Sequence, residues 1–190
     1  MHATGRIGPN AVLQLRAAIR AADGDAVLAR VFAGADLLRH LEQPPGSMVA
    51  ETEVAALFQA LRREMGEDLA CRRAAASGAG TARYLLSNRI PRPMRALLPH
   101  LPAVLAAPIL TAAIRQHGWT FLGSGRLDVL GRRPLGIRIR LAACLADVAP
   151  VASAFYRTTF EALYRALVDA RIQARPSAAG PADCAFDLDW

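Results

Sequence analysis

Tyr84, Arg89, Arg92 and Arg95 place three guanidinium groups and a phenol within twelve residues, beside an apolar run broken by prolines. Guanidinium forks pair bidentately with carboxylates, so this segment could grip an acidic small molecule. The alternative is a solvated arginine face around a rigid turn at Pro91 and Pro93. His117, Trp119 and Phe121 follow at alternate positions, with Arg126 just beyond. If all belong to one strand they share a face, and the imidazole could ligate a metal or hydrogen-bond a ligand beside an aromatic wall. The other reading is a satisfied boundary histidine next to a core tryptophan. Arg126 is either a pocket donor or an outward strand arginine. Tyr156 and Phe160, four residues apart, form core or line a cavity beneath a sheet. The chemistry these side chains offer is recognition rather than bond making.

Redox chemistry finds little support in the same residues. Gly123-Ser124-Gly125 is the nearest approach to a dinucleotide loop, but Asp128 occupies the position where a third glycine would stand. Gly78-Ala79-Gly80 follows a helical segment rather than a buried strand, so both read as turns. A Tyr-x-x-x-Lys pair cannot exist in a chain without lysine, and three cysteines cannot supply a four-cysteine iron–sulfur cluster. No cofactor motif is recognisable.

Composition narrows the class further. A chain of 190 residues with 53% hydrophobic content can bury one sizeable core, and a single domain over residues 1–190 is expected. The N-terminus carries no apolar core of a secretory signal. Cys71, Cys144 and Cys184 are widely spaced, which fits a reducing, cytoplasmic setting. The net charge of +7 comes entirely from arginine, scattered rather than clustered on one helix, so nucleic acid is not the expected partner. Residues 96–114 contain no Asp, Glu, Arg or Lys. Pro99, Pro102 and Pro108 divide them, so two short buried helices are expected rather than a membrane span. Peripheral contact with a membrane is the alternative.

These side chains must be positioned by two kinds of element. Val12, Leu15 and Ile19 mark one face of a helix started by Pro9 and Asn10 and stopped at Asp23-Gly24; Asp25 can cap a second helix with Leu28, Val31 and Phe32. Pro44-Pro45-Gly46-Ser47 is a break, and Val54, Leu57, Phe58 and Leu61 give a third helix ending near Gly66. Ser77-Gly78-Ala79-Gly80 is expected to interrupt the next segment, with Thr81 capping a short helix that holds Tyr84. From Trp119 the period changes. Leu135, Ile137, Ile139 and Leu141 alternate with polar positions, pairing with a strand from about Trp119 to Val129 through Gly131-Arg132-Arg133-Pro134. Pro150 suits the first turn of a long helix whose Tyr156, Phe160, Leu163 and Leu167 make a buried stripe. A final hairpin would set Asp187 and Asp189 opposite Arg171 and Arg175. The sum is an α+β fold: a helical N-terminal half, then a four-stranded antiparallel sheet built as hairpin, helix, hairpin.

Three stretches, in order and spacing, carry a family resemblance: Gly5-Arg6-Ile7-Gly8-Pro9-Asn10-Ala11-Val12, Tyr84 to Pro93, and His117 to Arg126. It continues through Phe155-Tyr156-Arg157-Thr158-Thr159-Phe160-Glu161 to Gly180 and Cys184-Ala185-Phe186. Together they resemble the bacteriochlorophyll biosynthesis proteins catalogued as 4-vinyl reductases. The resemblance implies the fold shared with the small subunits of vesicle-tethering TRAPP complexes, usually a homodimer with an apolar cavity between layers. It implies a tetrapyrrole as ligand, with a magnesium porphyrin the first expectation. Tyr84, Arg89, Arg92 and Arg95 would then grip propionates, and His117 would reach the metal. The leading expectation is an accessory protein that carries a porphyrin between enzymes of the magnesium branch of the pathway. The alternatives are a 4-vinyl (8-vinyl) reductase acting on divinyl protochlorophyllide or chlorophyllide, and a sensor domain for a small aromatic molecule. Related sensory domains hold zinc at positions that correspond here to Ser153, Gln173, Pro176 and Cys184. A single thiol cannot complete a tetrahedral zinc site, so no zinc is expected there.

Overall fold

The structure, a computed structural model, describes residues 5–131 and 134–190, the side chain of Trp119 excepted. It is α+β, with eight helices mostly in the N-terminal half and a four-stranded antiparallel sheet towards the C-terminus. The chain begins with β1 (Arg6–Ile7) and α1 (Asn10–Gly34), followed by the single turn α2 (Arg39–Glu42). Next come β2 (Val49–Ala50), which pairs antiparallel with β1, then α3 (Glu51–Met65) and α4 (Glu67–Asn88). After α5 (Arg92–Leu97), α6 (Ala103–His117) and α7 (Trp119–Leu122), the sheet starts with β3 (Arg126–Leu130) and β4 (Leu135–Arg140). The long helix α8 (Ala149–Leu167) leads into β5 (Gln173–Pro176) and β6 (Asp183–Asp189).

The strands lie in the order β3-β4-β6-β5, all antiparallel. Period-two alternation sets their faces. Leu127, Leu135, Ile137, Ile139, Ala174, Cys184, Phe186 and Leu188 are buried, while Arg126, Arg140, Arg175 and Asp189 are exposed and Asp128, Arg138 and Asp187 are half-buried. In the final hairpin Arg175 stands opposite Asp187, as the alternation implied. The second expected pair does not form. Asp189 faces Gln173, and Arg171 lies before the strand, where it binds Asp169.

Helix α8 is buried on most sides because it is packed from two directions. Towards the sheet, Phe160 meets Phe186 edge to face at 5.4 Å, and it stacks on Tyr164 of its own helix at 6.4 Å. Towards the helical half, Phe155 packs on Phe58 and Tyr156. Aromatic rings thus pack on both sides of α8. Pro150 sits in the first turn of α8, and Tyr156, Phe160, Leu163 and Leu167 are all buried.

Several expectations fail for local reasons. The stop at Asp23-Gly24 is not one of them: Gly24, at φ 82° and ψ 176°, is not helical, and it separates two helical stretches within the span of α1. Ser77-Gly78-Ala79-Gly80 does not interrupt α4, which runs straight through. These small residues let α4 and α8 approach: a Cβ on Gly78 would collide with the Phe155 carbonyl oxygen, and the Thr159 hydroxyl binds the Phe155 and Gly78 carbonyls at 2.7 and 3.2 Å. Thr81 caps nothing; its hydroxyl donates to Ser77 O at 3.0 Å inside the helix. The first strand of the sheet does not start at Trp119, where α7 intervenes, but at Arg126. In the turn between β3 and β4, Arg132 and Arg133 lie outside the described residues.

The apolar run 96–114 is not divided into two short helices as expected: most of it lies in the 15-residue α6, which runs through Pro108 and is not buried all round. Ala106, Ala107, Leu110 and Thr111 face inward, whereas Leu97, Val104, Leu105 and Ile109 are 56%, 51%, 54% and 43% exposed. Thr111 donates to Ala107 O at 2.7 Å, so its oxygen accepts the Tyr164 hydroxyl at 2.6 Å and ties α6 to α8. No helix among the described residues is long and apolar enough to cross a membrane.

Candidate functional site

Two stretches that are far apart in sequence, residues 5–9 and 120–125, meet around Glu51. This residue opens α3, where a carboxylate complements the helix N-terminus, and it is only 7% exposed. Its amide donates to Gly5 O at 2.9 Å. Its carboxylate accepts the Ser124 amide at 2.7 Å and the Ser124 hydroxyl at 2.8 Å. Gly8 N donates to Thr120 O at 2.7 Å. Gly123 turns the chain at φ 61°, and a Cβ there, or on Gly5, would collide with the Glu51 carboxylate. The glycines of both stretches therefore serve a clamp, not a phosphate loop. Sequence reading missed Glu51, because nothing in its spacing separates it from Glu53 on the same helix turn.

The clamp supports a cleft of about 470 Å3 between the end of α6, α7 and β3, lined by Arg115, Gly118, Gly123, Gly125, Arg126 and Asp128 together with Leu122 and Leu127. Arg126 is an outward, exposed arginine on β3, and it lines this cleft. Hydrogen bonds from Arg140, at 2.8 and 3.1 Å, hold the Asp128 carboxyl below the usual carboxylate range, and the charges of Arg140, Arg126 and Arg115 add to the effect.

His117 ends α6 and is exposed; it precedes Gly118 of the cleft lining but is not itself among the lining residues. It lies on a helix, so it does not share a strand face with Trp119, whose side chain lies outside the described residues. His117 Nδ1 is 3.0 Å from Ala113 O. A carbonyl oxygen only accepts, so Nδ1 must donate, and in the neutral ring Nε2 keeps its lone pair. That is the tautomer a metal ligand needs.

The remaining candidates divide. Phe121 is half-buried, packs edge on to Phe160 at 6.3 Å, and its carbonyl accepts the Tyr156 hydroxyl at 3.0 Å. Burial pushes the Tyr156 phenol well above its ordinary range. Tyr156 and Phe160 are core residues that support the cleft from below. Tyr84, Arg89, Arg92 and Arg95 lie at the end of α4 and in α5, none of them among the residues lining the cleft. Arg89 and Arg92 are exposed; Tyr84 and Arg95 are half-buried.

A second concavity, about 490 Å3, lies around α2 and β2 and is lined by Arg6, Arg39, His40 and Glu53 among others. His40 Nε2 donates to Glu53 at 2.6 Å, Arg39 contacts the same carboxylate at 3.0 Å, and Arg6 donates to Met48 O. Sequence reading did not single out these residues.

The positions matched to a zinc site carry other chemistry. Cys184 Sγ lies 3.9 Å from the Ser153 carbonyl oxygen, while Gln173 and Pro176 are exposed on β5. Burial pushes the Cys184 thiol up to about 11.

No family model matches the chain. The bacteriochlorophyll synthase 23 kDa chain of Cereibacter sphaeroides is 36% identical over 189 residues, spanning 96% of this chain and 90% of that protein. The protein of the same name from Rhodobacter capsulatus is 40% identical over 164 residues, 86% of this chain and 76% of that one.

Proposed function

The chain belongs to the family of the bacteriochlorophyll synthase 23 kDa chains, and we propose that it serves bacteriochlorophyll biosynthesis by binding and carrying a magnesium porphyrin intermediate. The kinship supports the pathway. The observation that carries the binding reading is the cleft flanked by Arg115 and Arg126, with His117 preceding Gly118 of its lining in the chain. Gly118, Gly123 and Gly125 give part of the lining as bare backbone, because the chain's own atoms fill the space a Cβ would need at each. Arg115 and Arg126 offer forks to propionates. The His117 ring, held by Ala113 O, presents Nε2 to a metal that is part of the cargo. Leu122 and Leu127 supply apolar contact, and Tyr156 and Phe160 hold α7 against α8 from beneath.

Absorption spectra test the proposal. Purified protein titrated with magnesium protoporphyrin should give a saturable, red-shifted Soret band without turnover. The absence of a spectral change with protoporphyrin, its magnesium form and divinyl chlorophyllide would overturn it. Loss of a vinyl group on addition of NADPH, reduced flavin or ferredoxin would replace it with the 4-vinyl (8-vinyl) reductase reading.

A further inference from the structure

Helix α6 has two faces of different kinds, and both are apolar. Its inner face is buried against α8, as the Thr111–Tyr164 bond records. On the outer face Val104, Leu105, Pro108, Ile109 and Ala112 form one stripe at helical spacing, all of them exposed, and Leu97 from α5 is exposed as well. An exposed apolar patch on a helix needs an occupant.

Charge around the stripe says which. Between Asp68 and Asp128 the chain holds no carboxylate and eight arginines. Arg89 and Arg92 stand before the stripe and Arg115 at its end, all exposed. Among the described residues no carboxylate forms an ion pair with Arg89, Arg92, Arg95 or Arg115. A second copy is a poor occupant, because a two-fold contact sets a patch against itself and would bring these unpaired arginines together. An anionic bilayer surface meets both features at once. The aliphatic stripe enters the boundary between headgroups and acyl chains, and the arginines at its ends stay among lipid phosphates.

We propose that the outer face of α5 and α6 docks the protein onto anionic phospholipid, lying in the interface without crossing it. This inference is independent of the porphyrin cleft, whose lining shares only Arg115 with it. Each arginine near such a surface strengthens binding roughly fivefold, and salt removes that gain.

Sedimentation with vesicles, in the absence of pigment, tests it. The full chain should pellet with vesicles of phosphatidylglycerol and phosphatidylcholine, should pellet far less with phosphatidylcholine alone, and should be released by salt. The double variant Leu105→Glu/Ile109→Glu changes only exposed positions. It should stay in the supernatant while its circular dichroism and its melting temperature match the parent's. Arg89→Glu/Arg92→Glu should lose several-fold in binding to the anionic vesicles only. Failure of the parent to bind anionic vesicles overturns the proposal, as does undiminished binding of Leu105→Glu/Ile109→Glu. Equal binding to neutral vesicles removes the charge argument and overturns it too. A parent that sediments as a dimer, and a Leu105→Glu/Ile109→Glu variant that is monomeric, would assign the face to a second copy instead.

Discussion

His117 and Arg126 can be separated because they would recognise different parts of one ligand. If His117 Nε2 reaches the metal, His117→Ala should weaken binding of magnesium protoporphyrin roughly tenfold more than that of the metal-free ring. Arg126→Ala should weaken both forms alike, by about tenfold, since propionates are present in each. Titration by absorbance with both ligands checks the contrast, and equal affinities across parent and variants would remove both residues from the site. Reactivity follows burial in the same way. Cys184 is buried and its thiol is pushed up to about 11, so at pH 8 a disulfide reagent should label it only after unfolding. Rapid labelling of three thiols in the native protein would contradict its burial. Arginines and an isolated histidine could be marked in the sequence as candidate binders because their chemistry is local. Their grouping could not. Arg126 joins Arg115 across a chain reversal that depends on Gly123 and Glu51, whereas Arg89, Arg92 and Arg95 fall outside the cleft. Glu51 itself was invisible, since its role comes from Ser124 and Gly5, both distant in sequence.

Helix contacts explain why the small residues of α4 misled a reading based on local propensity. Glycine weakens an isolated helix by about 1 kcal/mol relative to alanine, so Ser77 to Gly80 look like a break; tertiary packing against Phe155 and Thr159 outweighs that cost. Gly78→Ala should therefore destabilise the protein by about 1–3 kcal/mol despite the better helix former. Gly34→Ala, whose new methyl would meet only the Ala60 methyl at 3.5 Å, should be neutral or stabilising by a few tenths of a kcal/mol. Urea denaturation of the two variants decides, and a stabilised Gly78→Ala would show that the helices have room. Strands were more legible than helix ends. Leu135, Ile137 and Ile139 alternate strictly, and a slip of one residue would expose them all. Trp119 to Leu122 is four residues long, too short for periodicity to tell a helical turn from a strand. Across the kink at Gly24, Arg73 of α4 binds Asp23 of α1 through two bonds of 2.6 and 2.7 Å. Arg73 holds the Asp23 carboxyl below its ordinary range. Its contribution to stability is present above the unfolded carboxyl's value near 3.9 and is lost as pH falls through the lower folded value. Asp23→Asn should cost about 1 kcal/mol at neutral pH, and the difference from the parent should vanish in strong acid. A difference independent of pH would mean that the carboxylate's charge is not what matters.

The whole molecule is organised around α8, with the sheet on one side and α4 on the other, so neither layer buries its apolar face without that helix. A chain built this way should unfold in one step over residues 1–190. Resemblance to sensory domains raises a different architecture, in which zinc staples the last hairpin to α8. Here Cys184 is the one thiol among the matched positions, and its neighbours on the sheet are packing partners: Ile139 on β4, and Phe186 and Leu188 on its own strand, all buried. Ion pairs on the outer face, such as Arg140 with Asp128, are solvent-facing and add little. Hydrophobic burial against α8 must then carry the hairpin's stability. Metal binding would contribute folding free energy that a chelator removes, whereas packing is indifferent to chelators. Trp190 follows directly on β6, so its fluorescence in a Trp119→Phe variant reports the sheet alone, while far-ultraviolet circular dichroism is dominated by the helical half. The two urea transitions should coincide, with the same midpoint in the presence and absence of EDTA. An earlier fluorescence transition would split the sheet from the helices as a separate unit. A midpoint lowered by EDTA, together with one equivalent of zinc in protein purified without added metal, would put a metal where packing has been placed.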